Sequence, residues 1–308
     1  MTLQQLKYII AIFRHGSFAK AAAAEDISQP TLSAMLAKLE DELDVRLFER
    51  NNKGVKATPT GERIVRQAEK VIAEAERITE LVDESKQSVT GTLALAISPN
   101  IAPYILPRFI RHYMTDFPQI QLTVQEMKSE DLFEALQRGQ ADAGIAIGGI
   151  HRQGLLEIPL YTEKFMVYLS ESCWRKLPVF SPDKLEHENM WIMKDAQCLR
   201  ESAFSFCKTR TKGKHIYEAG SIETLIRIVD LNGGFTIIPE MHLPMLTEAQ
   251  RRNVRRIEGD YLSQRRVSLY IDENYVRERL LGTITDTLLK FMPREMMASG
   301  IVKFGIRL

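Results

Sequence analysis

Gly16-Ser-Phe-Ala-Lys-Ala-Ala-Ala-Ala-Glu-Asp-Ile-Ser-Gln-Pro-Thr-Leu-Ser33 sets the architecture of the N-terminal region. Upstream of it, Leu3, Leu6, Ile10 and Phe13 recur at helical spacing, and Gly16 ends that first helix. Ser17 is placed to cap a short, alanine-rich helix from Phe18 to Glu25. Asp26-Ile27 turns the chain, and Ser28 caps a third helix with Pro30 near its first position, where a missing N–H costs nothing. Leu32, Leu36, Leu39 and Leu43 form the apolar stripe of that third helix. A short helix, a tight turn and a capped second helix make a helix-turn-helix.

The side of the third helix opposite its leucines carries Pro30, Thr31, Ser33, Ala34, Ala37 and Lys38, all small or hydrogen-bonding. A face of that size and polarity fits a major groove and can read base edges. Ser28 and Gln29 at the helix N-terminus are placed to bond a base or a phosphate. Downstream, residues 46–58 read as a small hairpin around Asn51-Asn52-Lys53-Gly54. Arg46, Arg50, Lys53 and Lys56 set four positive charges there against Glu49, a patch suited to phosphates. Thr58-Pro59 then opens a long helix to about Ser88. Along it Ile64, Ala68, Val71, Ala75, Ile78 and Val82 alternate in steps of four and three, a coiled-coil seam. Three helices alone describe many plain domains with a solvated face; the triplet, basic wing and seam together point to DNA.

The chain has 308 residues, which implies two or more domains. Its 44% hydrophobic and 26% charged content is ordinary for a soluble globular protein. The net charge of +1 announces no nucleic-acid binder globally, so any basic patch is local. The start, Met1-Thr-Leu-Gln-Gln, lacks a signal-peptide pattern, and no run reaches the roughly 18 apolar residues of a membrane span. Three cysteines do not make a disulfide scaffold, and the chain reads as cytoplasmic.

From Thr92 the pattern changes to βαβαβ. Strands are expected at Thr92–Ile97, Ile120–Val124 and Asp142–Ile147, with helices near Pro107–Thr115 and Asp131–Arg138, which predicts a parallel sheet. Further strands are expected at Phe165–Leu169, Trp191–Met193, Phe235–Ile238 and Val267–Ile271, and helices near Glu201–Lys208, Glu223–Leu231 and Val276–Phe291.

The first 65 residues resemble the winged helix-turn-helix of LysR-type transcriptional regulators. The matching text is Leu3-Gln-Gln-Leu, Gly16-Ser-Phe-Ala-Lys-Ala-Ala, Ser28-Gln-Pro-Thr-Leu-Ser, Leu47-Phe-Glu-Arg and Thr58-Pro-Thr-Gly. Gly233-Gly-Phe-Thr-Ile-Ile-Pro agrees with it further along. The resemblance implies an α/β protein in three parts: a DNA-binding domain over 1–58, a dimerising linker helix over 59–89, and a regulatory domain over 90–308 shaped like a periplasmic binding protein. Its first lobe would comprise 90–163 and 268–308, its second 164–267. The implied partners are a double-stranded operator, a second dimer of the same chain to make a tetramer, and RNA polymerase.

The regulatory half holds Asp195-Ala-Gln-Cys-Leu-Arg-Glu-Ser-Ala-Phe-Ser-Phe-Cys207. Cys198 stands just before a helical pattern, and a helix N-terminus and nearby Arg200 would both favour its thiolate. On one continuous helix Cys198 and Cys207 would lie ~13 Å apart at about 1.5 Å per residue, whereas a disulfide needs less than ~7 Å between Cα atoms. The residues alone leave the pair either inert or a switch. Cys198-Leu-Arg, Phe206-Cys207 and Gly220-Ser-Ile-Glu-Thr-Leu resemble the hydrogen-peroxide-sensing members of the LysR family. That resemblance implies a peroxidatic Cys198, a resolving Cys207 and a reductant such as glutaredoxin or thioredoxin. It also places Arg266 near the thiolate, and Ser129 and Asn100 where threonines commonly line the peroxide pocket. Gln197 stands where some relatives have histidine, and Cys173 reads as structural.

His112, His151, His187, His215 and His242 are scattered without metal-ligand spacing, and no Gly-rich phosphate loop follows a strand, so neither metal nor cofactor is expected. Three functions compete. The first is a peroxide-responsive activator of oxidative-stress genes. The second is a LysR-type regulator with inert cysteines and a small organic effector between its lobes. The third is a thiol peroxidase, against which the basic wing and linker helix argue.

Overall fold

The computed structural model describes residues 1–51, 54–85, 90–174, 191, 221–257, 264–273, 275 and 277–304. Its first helix, α1 (Leu3–His15), opens on a capping box between Thr2 and Gln5 and closes on Gly16 in the left-handed conformation. In α2 (Phe18–Ala24) the Ser17 side chain accepts from the backbone N–H of Lys20, and in α3 (Gln29–Leu43) Ser28 does the same for Thr31. Leu6, Ile9, Ile12, Phe18, Ala21, Leu32, Leu36, Leu39 and Leu47 bury themselves in one small core. Leu43 is not part of that stripe: it closes α3 with 36% of its surface exposed. The inward position one turn earlier belongs to Glu40, which is buried.

The wing is β1 (Phe48–Asn51) paired antiparallel with β2 (Gly54–Ala57). It leads into α4 (Pro59–Ser85). The text Thr58-Pro-Thr-Gly has a geometric reason. The Thr58 hydroxyl accepts from Gly61 N at 2.9 Å and donates to the Arg46 carbonyl at 2.9 Å. A Cβ on Gly61 would sit 2.0 Å from the Leu47 carbonyl oxygen, so only glycine lets the helix approach the strand. The periodic stripe along α4 is not one free seam. Ala68 and the neighbouring Val65 are buried in the N-terminal core, with Ile64, Val71 and Ile72 packed against it. Further along, among the described side chains, Ile78 stands free at 67% exposure.

The remaining elements are β3 (Gly91–Ile97), α5 (Ala102–Asp116), β4 (Ile120–Glu126), α6 (Ser129–Gln137), β5 (Ala143–Ile147), β6 (Leu155–Leu169) and α7 (Glu171–Trp174). There follow α8 (Ile222–Asn232), β7 (Phe235–Pro239), a 3₁₀ turn (Glu240–Met245), α9 (Glu248–Arg251), β8 (Val254–Arg256), β9 (Gln264–Asp272), α10 (Glu278–Leu288) and α11 (Ser299–Phe304). The strands run β4-β3-β5-β9-β6-β7, with β8 also on β6. β3 is parallel to β4 and β5, the expected βαβαβ, and β9 closes that sheet antiparallel to β5. Helices α5 and α10 cover one face, where Tyr113 and Thr283 share a 2.8 Å hydrogen bond; α6 covers the other through Leu132, Phe133 and Leu136.

β6 extends ten residues further toward the N-terminus than the Phe165–Leu169 strand expected from pattern, starting at Leu155. Pro159 masks this stretch in the sequence, and the structure accommodates it at a register irregularity against β9. The first part of β6 pairs with β9 and the last with β7 and β8, so one strand belongs to both lobes. Of the strand expected at 191–193 only Trp191 is described, its indole donating to the Gly233 carbonyl at 2.9 Å. The helix expected at 201–208 lies outside the described residues.

Candidate nucleic-acid interface and sensor cleft

The face of α3 turned away from the leucines is open to solvent. Ser28, Gln29, Pro30, Thr31, Ala34, Ala37 and Lys38 are exposed and Ser33 is half-buried. Lys56 is exposed on β2, whereas the side chain of Arg50 and all of Lys53 lie outside the described residues. Two anchors, Gly16 and Glu40, fix the wing relative to this face. Val55 N donates to the Gly16 carbonyl at 3.1 Å. The buried Glu40 carboxylate accepts from Leu47 N at 2.6 Å, Phe48 N at 3.3 Å and Arg46 Nη1 at 2.9 Å. Arg46 therefore spends part of its charge on Glu40, and among the described side chains of the patch Lys56 stands exposed on β2. Glu40 escaped the sequence reading; its signal is a lone carboxylate one turn after Leu36 on the leucine side of the helix.

A second carboxylate ties this domain to the regulatory half. Glu69 on α4, 6% exposed, accepts from Gln140 at 2.8 Å and Arg14 at 3.4 Å and lies 4.0 Å from Arg138. Beside it Gly139 sits at φ +67°, where a Cβ would come within 2.5 Å of Ala73 Cβ. The missing side chain is what lets α4 seat on the turn after α6.

The strand ends of the first lobe gather the remaining candidates. Ser129 opens α6 and shares a 3.3 Å hydrogen bond with Ser98, which follows β3. The Asn100 carbonyl accepts from Arg265 Nη2 at 3.3 Å. Arg265 and Glu163 are almost wholly buried and pair at 2.7 Å, and the other Glu163 oxygen accepts from Met241 N at 3.2 Å. Arg265 also lies 5.8 Å over the Phe165 ring. Successive residues of β9 point to opposite faces, so Arg266 turns the other way. It pairs with Glu157 at 3.0 Å, which accepts from Ser268 at 2.8 Å and Gly149 N at 2.9 Å. Among the described residues, Arg265 and not Arg266 joins Asn100. Cys198, Cys207, Arg200 and Gln197 lie outside the described residues, as does the side chain of Cys173.

Across the cleft the Tyr104 hydroxyl meets His242 Nδ1 at 3.1 Å. Burial lowers the His242 pKa, with Glu223 pulling weakly the other way. Burial likewise pushes the Tyr104 phenol up, so both groups are neutral around neutral pH. Among the described residues no group of His, Cys, Asp and Glu could hold a metal ion, and no helix is long and apolar enough to cross a membrane.

Two family models match the chain. Residues 3–62 match the bacterial regulatory helix-turn-helix protein model of the lysR family, and residues 86–293 match the LysR substrate binding domain. A hydrogen peroxide-inducible genes activator of Haemophilus influenzae is 32% identical over 259 residues, covering 83% of this chain and 85% of the relative. The DNA-binding transcriptional dual regulator OxyR of Escherichia coli is 30% identical over 246 residues, covering 79% and 81%. Full-length OxyR from Pseudomonas aeruginosa, solved as a cysteine-to-aspartate variant, superimposes with a TM-score of 0.78 at 26% identity, covering 97% of this chain and 98% of that one. With an exposed recognition helix, a wing, a linker helix and a two-lobed α/β domain in one chain, this protein belongs to the LysR family of bacterial transcriptional regulators.

Proposed function

We propose that the chain is a DNA-binding activator of oxidative-stress genes that senses hydrogen peroxide through Cys198 and Cys207. The observation that carries this reading is the pair itself in its setting, Cys198-Leu-Arg followed by Phe206-Cys207 and Gly220-Ser-Ile-Glu-Thr-Leu, in a chain whose relatives in Haemophilus and Escherichia are peroxide-responsive by name. The Cys198 thiolate attacks one peroxide oxygen, and the O–O bond breaks. The departing hydroxide takes a proton and leaves as water, and Cys198 becomes a sulfenic acid. The Cys207 thiol then displaces a second water and closes the disulfide. A dithiol reductant of the glutaredoxin or thioredoxin class restores both thiols by exchange.

Arg266, Arg200, Ser129 and Asn100 are the proposed pocket, supplying a cation and donors for the charge that develops on the departing oxygen. The Ser98–Ser129 pair supports a polar strand-end pocket at Ser129; Arg266, which faces away from the Arg265–Asn100 contact, is assigned to it on the resemblance. Closing the disulfide draws together atoms that a helix would hold ~13 Å apart, so the segment refolds and reorients the lobes. The active assembly is a homotetramer whose dimers pair through α4 and whose recognition helices read an interrupted palindrome, recruiting RNA polymerase.

Mass mapping of disulfides after mild peroxide treatment tests the reading. A Cys198–Cys207 bond is expected, with Cys198→Ser binding operator but blind to peroxide and Cys207→Ser stopping at the sulfenic acid. Thiols that stay free in equimolar peroxide would transfer the weight to an organic effector bound between the lobes.

A further inference from the structure

Arg251-Arg252-Asn253-Val254-Arg255-Arg256 places four arginines in six residues, and nothing in DNA reading or thiol chemistry uses them. They span the end of α9 and the strand β8, on the second lobe. Arg251, Arg252 and Arg256 are exposed, and among the described residues none of the three has a carboxylate within ion-pair distance. Arg251, Arg255 and Arg256 border a groove of about 600 Å³ whose apolar lining is Met166, Leu243, Pro244 and Val254. Arg255 is half-buried along this edge, and its Nη1 donates to the carbonyls of Arg252 at 2.7 Å and Val254 at 2.8 Å. Arg251 donates to the Pro244 carbonyl at 3.3 Å. These bonds hold two of the guanidinium groups against backbone instead of letting them project.

We propose that this groove docks an acidic segment of a protein partner, anchored by one or two apolar side chains and held by the arginines. A duplex would use the cations but would leave the apolar floor wasted, and arginines laid along a surface do not reach into a DNA groove. Carboxylates flanking a leucine or similar side chain use both features, because arginine pairs well with carboxylates while its neighbours exclude water. The inference rests on the reading of the chain as an activator, which needs a protein contact at the promoter, and the partner expected there is RNA polymerase.

The test has two arms, both on the full chain. In the first, a labelled peptide alternating glutamate and leucine is titrated by fluorescence anisotropy. Binding that weakens with salt is expected, with Arg255→Glu/Arg256→Glu weakening it at least tenfold and an all-glutamate peptide binding at least threefold more weakly. In the second, peroxide-treated protein drives transcription by purified RNA polymerase from an operator-bearing template. The same variant is expected to lose at least fivefold of the activation while operator affinity stays within twofold, thiol oxidation is unchanged and the oligomer mass is kept. If the unaltered protein does not activate on peroxide, the proposed function fails, while the peptide arm still judges the groove. A variant that binds the peptide and activates normally overturns the proposal. So does a variant that loses duplex affinity, which would make the patch a DNA surface, or one that loses oligomer mass, which would make it a contact between copies.

Discussion

Replacing Arg265 with methionine should separate the two lobes energetically without touching DNA recognition. The guanidinium and Glu163 are buried, at 3% and 0% side-chain exposure, so removing one leaves an uncompensated charge out of water. Breaking such a pair costs about 3–5 kcal/mol. For a domain of this size each kcal/mol lowers the melting temperature by roughly 2–4 °C. The regulatory-domain transition of Arg265→Met should therefore fall by roughly 6–20 °C in scanning calorimetry. The pair links β6 and β9 to Asn100 in the first lobe and Met241 in the second, so the loss should also loosen the cleft. Glu163→Gln added to Arg265→Met removes the buried charge yet keeps a carbonyl for Met241, and most of the loss should return. A single variant that melts within about 2 °C of the parent, or a double variant no better than the single, would refute the reasoning.

The remaining expectations are briefer. Ile78→Asp should break the dimer and operator binding together, because Ile78 is an apolar residue of α4 standing 67% exposed; a variant still dimeric by sedimentation overturns that. Glu40→Ala strips Leu47 N and Phe48 N of their acceptor and should lower the N-terminal domain's urea midpoint by the equivalent of roughly 2–4 kcal/mol. Lys53→Ala should weaken DNA binding about equally for all sequences and reduce the salt slope by roughly one at most. His242, facing Tyr104 and Glu223, has its folded pKa lowered chiefly by burial, so on acidification the unfolded state takes up its proton first. Stability should then fall as pH drops below the ordinary histidine value and level off once the folded state protonates too; His242→Gln should flatten that slope in urea melts.

What the sequence made legible is what neighbours along the chain decide. Ser17, Ser28 and Gly16 act within one helical turn of their own position, and each cap stands where spacing puts it. The βαβαβ order of the first lobe is likewise periodic over short windows. The pieces that escaped are long-range. Glu163 meets Arg265 across 102 residues and Glu69 meets Gln140 across 71, and no local pattern announces either. Along α4 the periodicity was visible but its partner was not: the stripe serves the N-terminal core over its first turns, while Ile78 further along is exposed. At the cleft, strand alternation decides which of the adjacent Arg265 and Arg266 reaches Asn100, and that register is set by β6.

The seat of Ala73 on Gly139 also makes α4 a lever. From Pro59 to Ala73 the helix runs ~21 Å at about 1.5 Å per residue, so a 10° tilt of the first lobe carries the base of the reading head ~4 Å. That exceeds the reach of a hydrogen bond to a phosphate. A modest rotation of the first lobe would thus be magnified at the DNA-binding end, and the ratio is set by where along the helix Gly139 leaves room for Ala73.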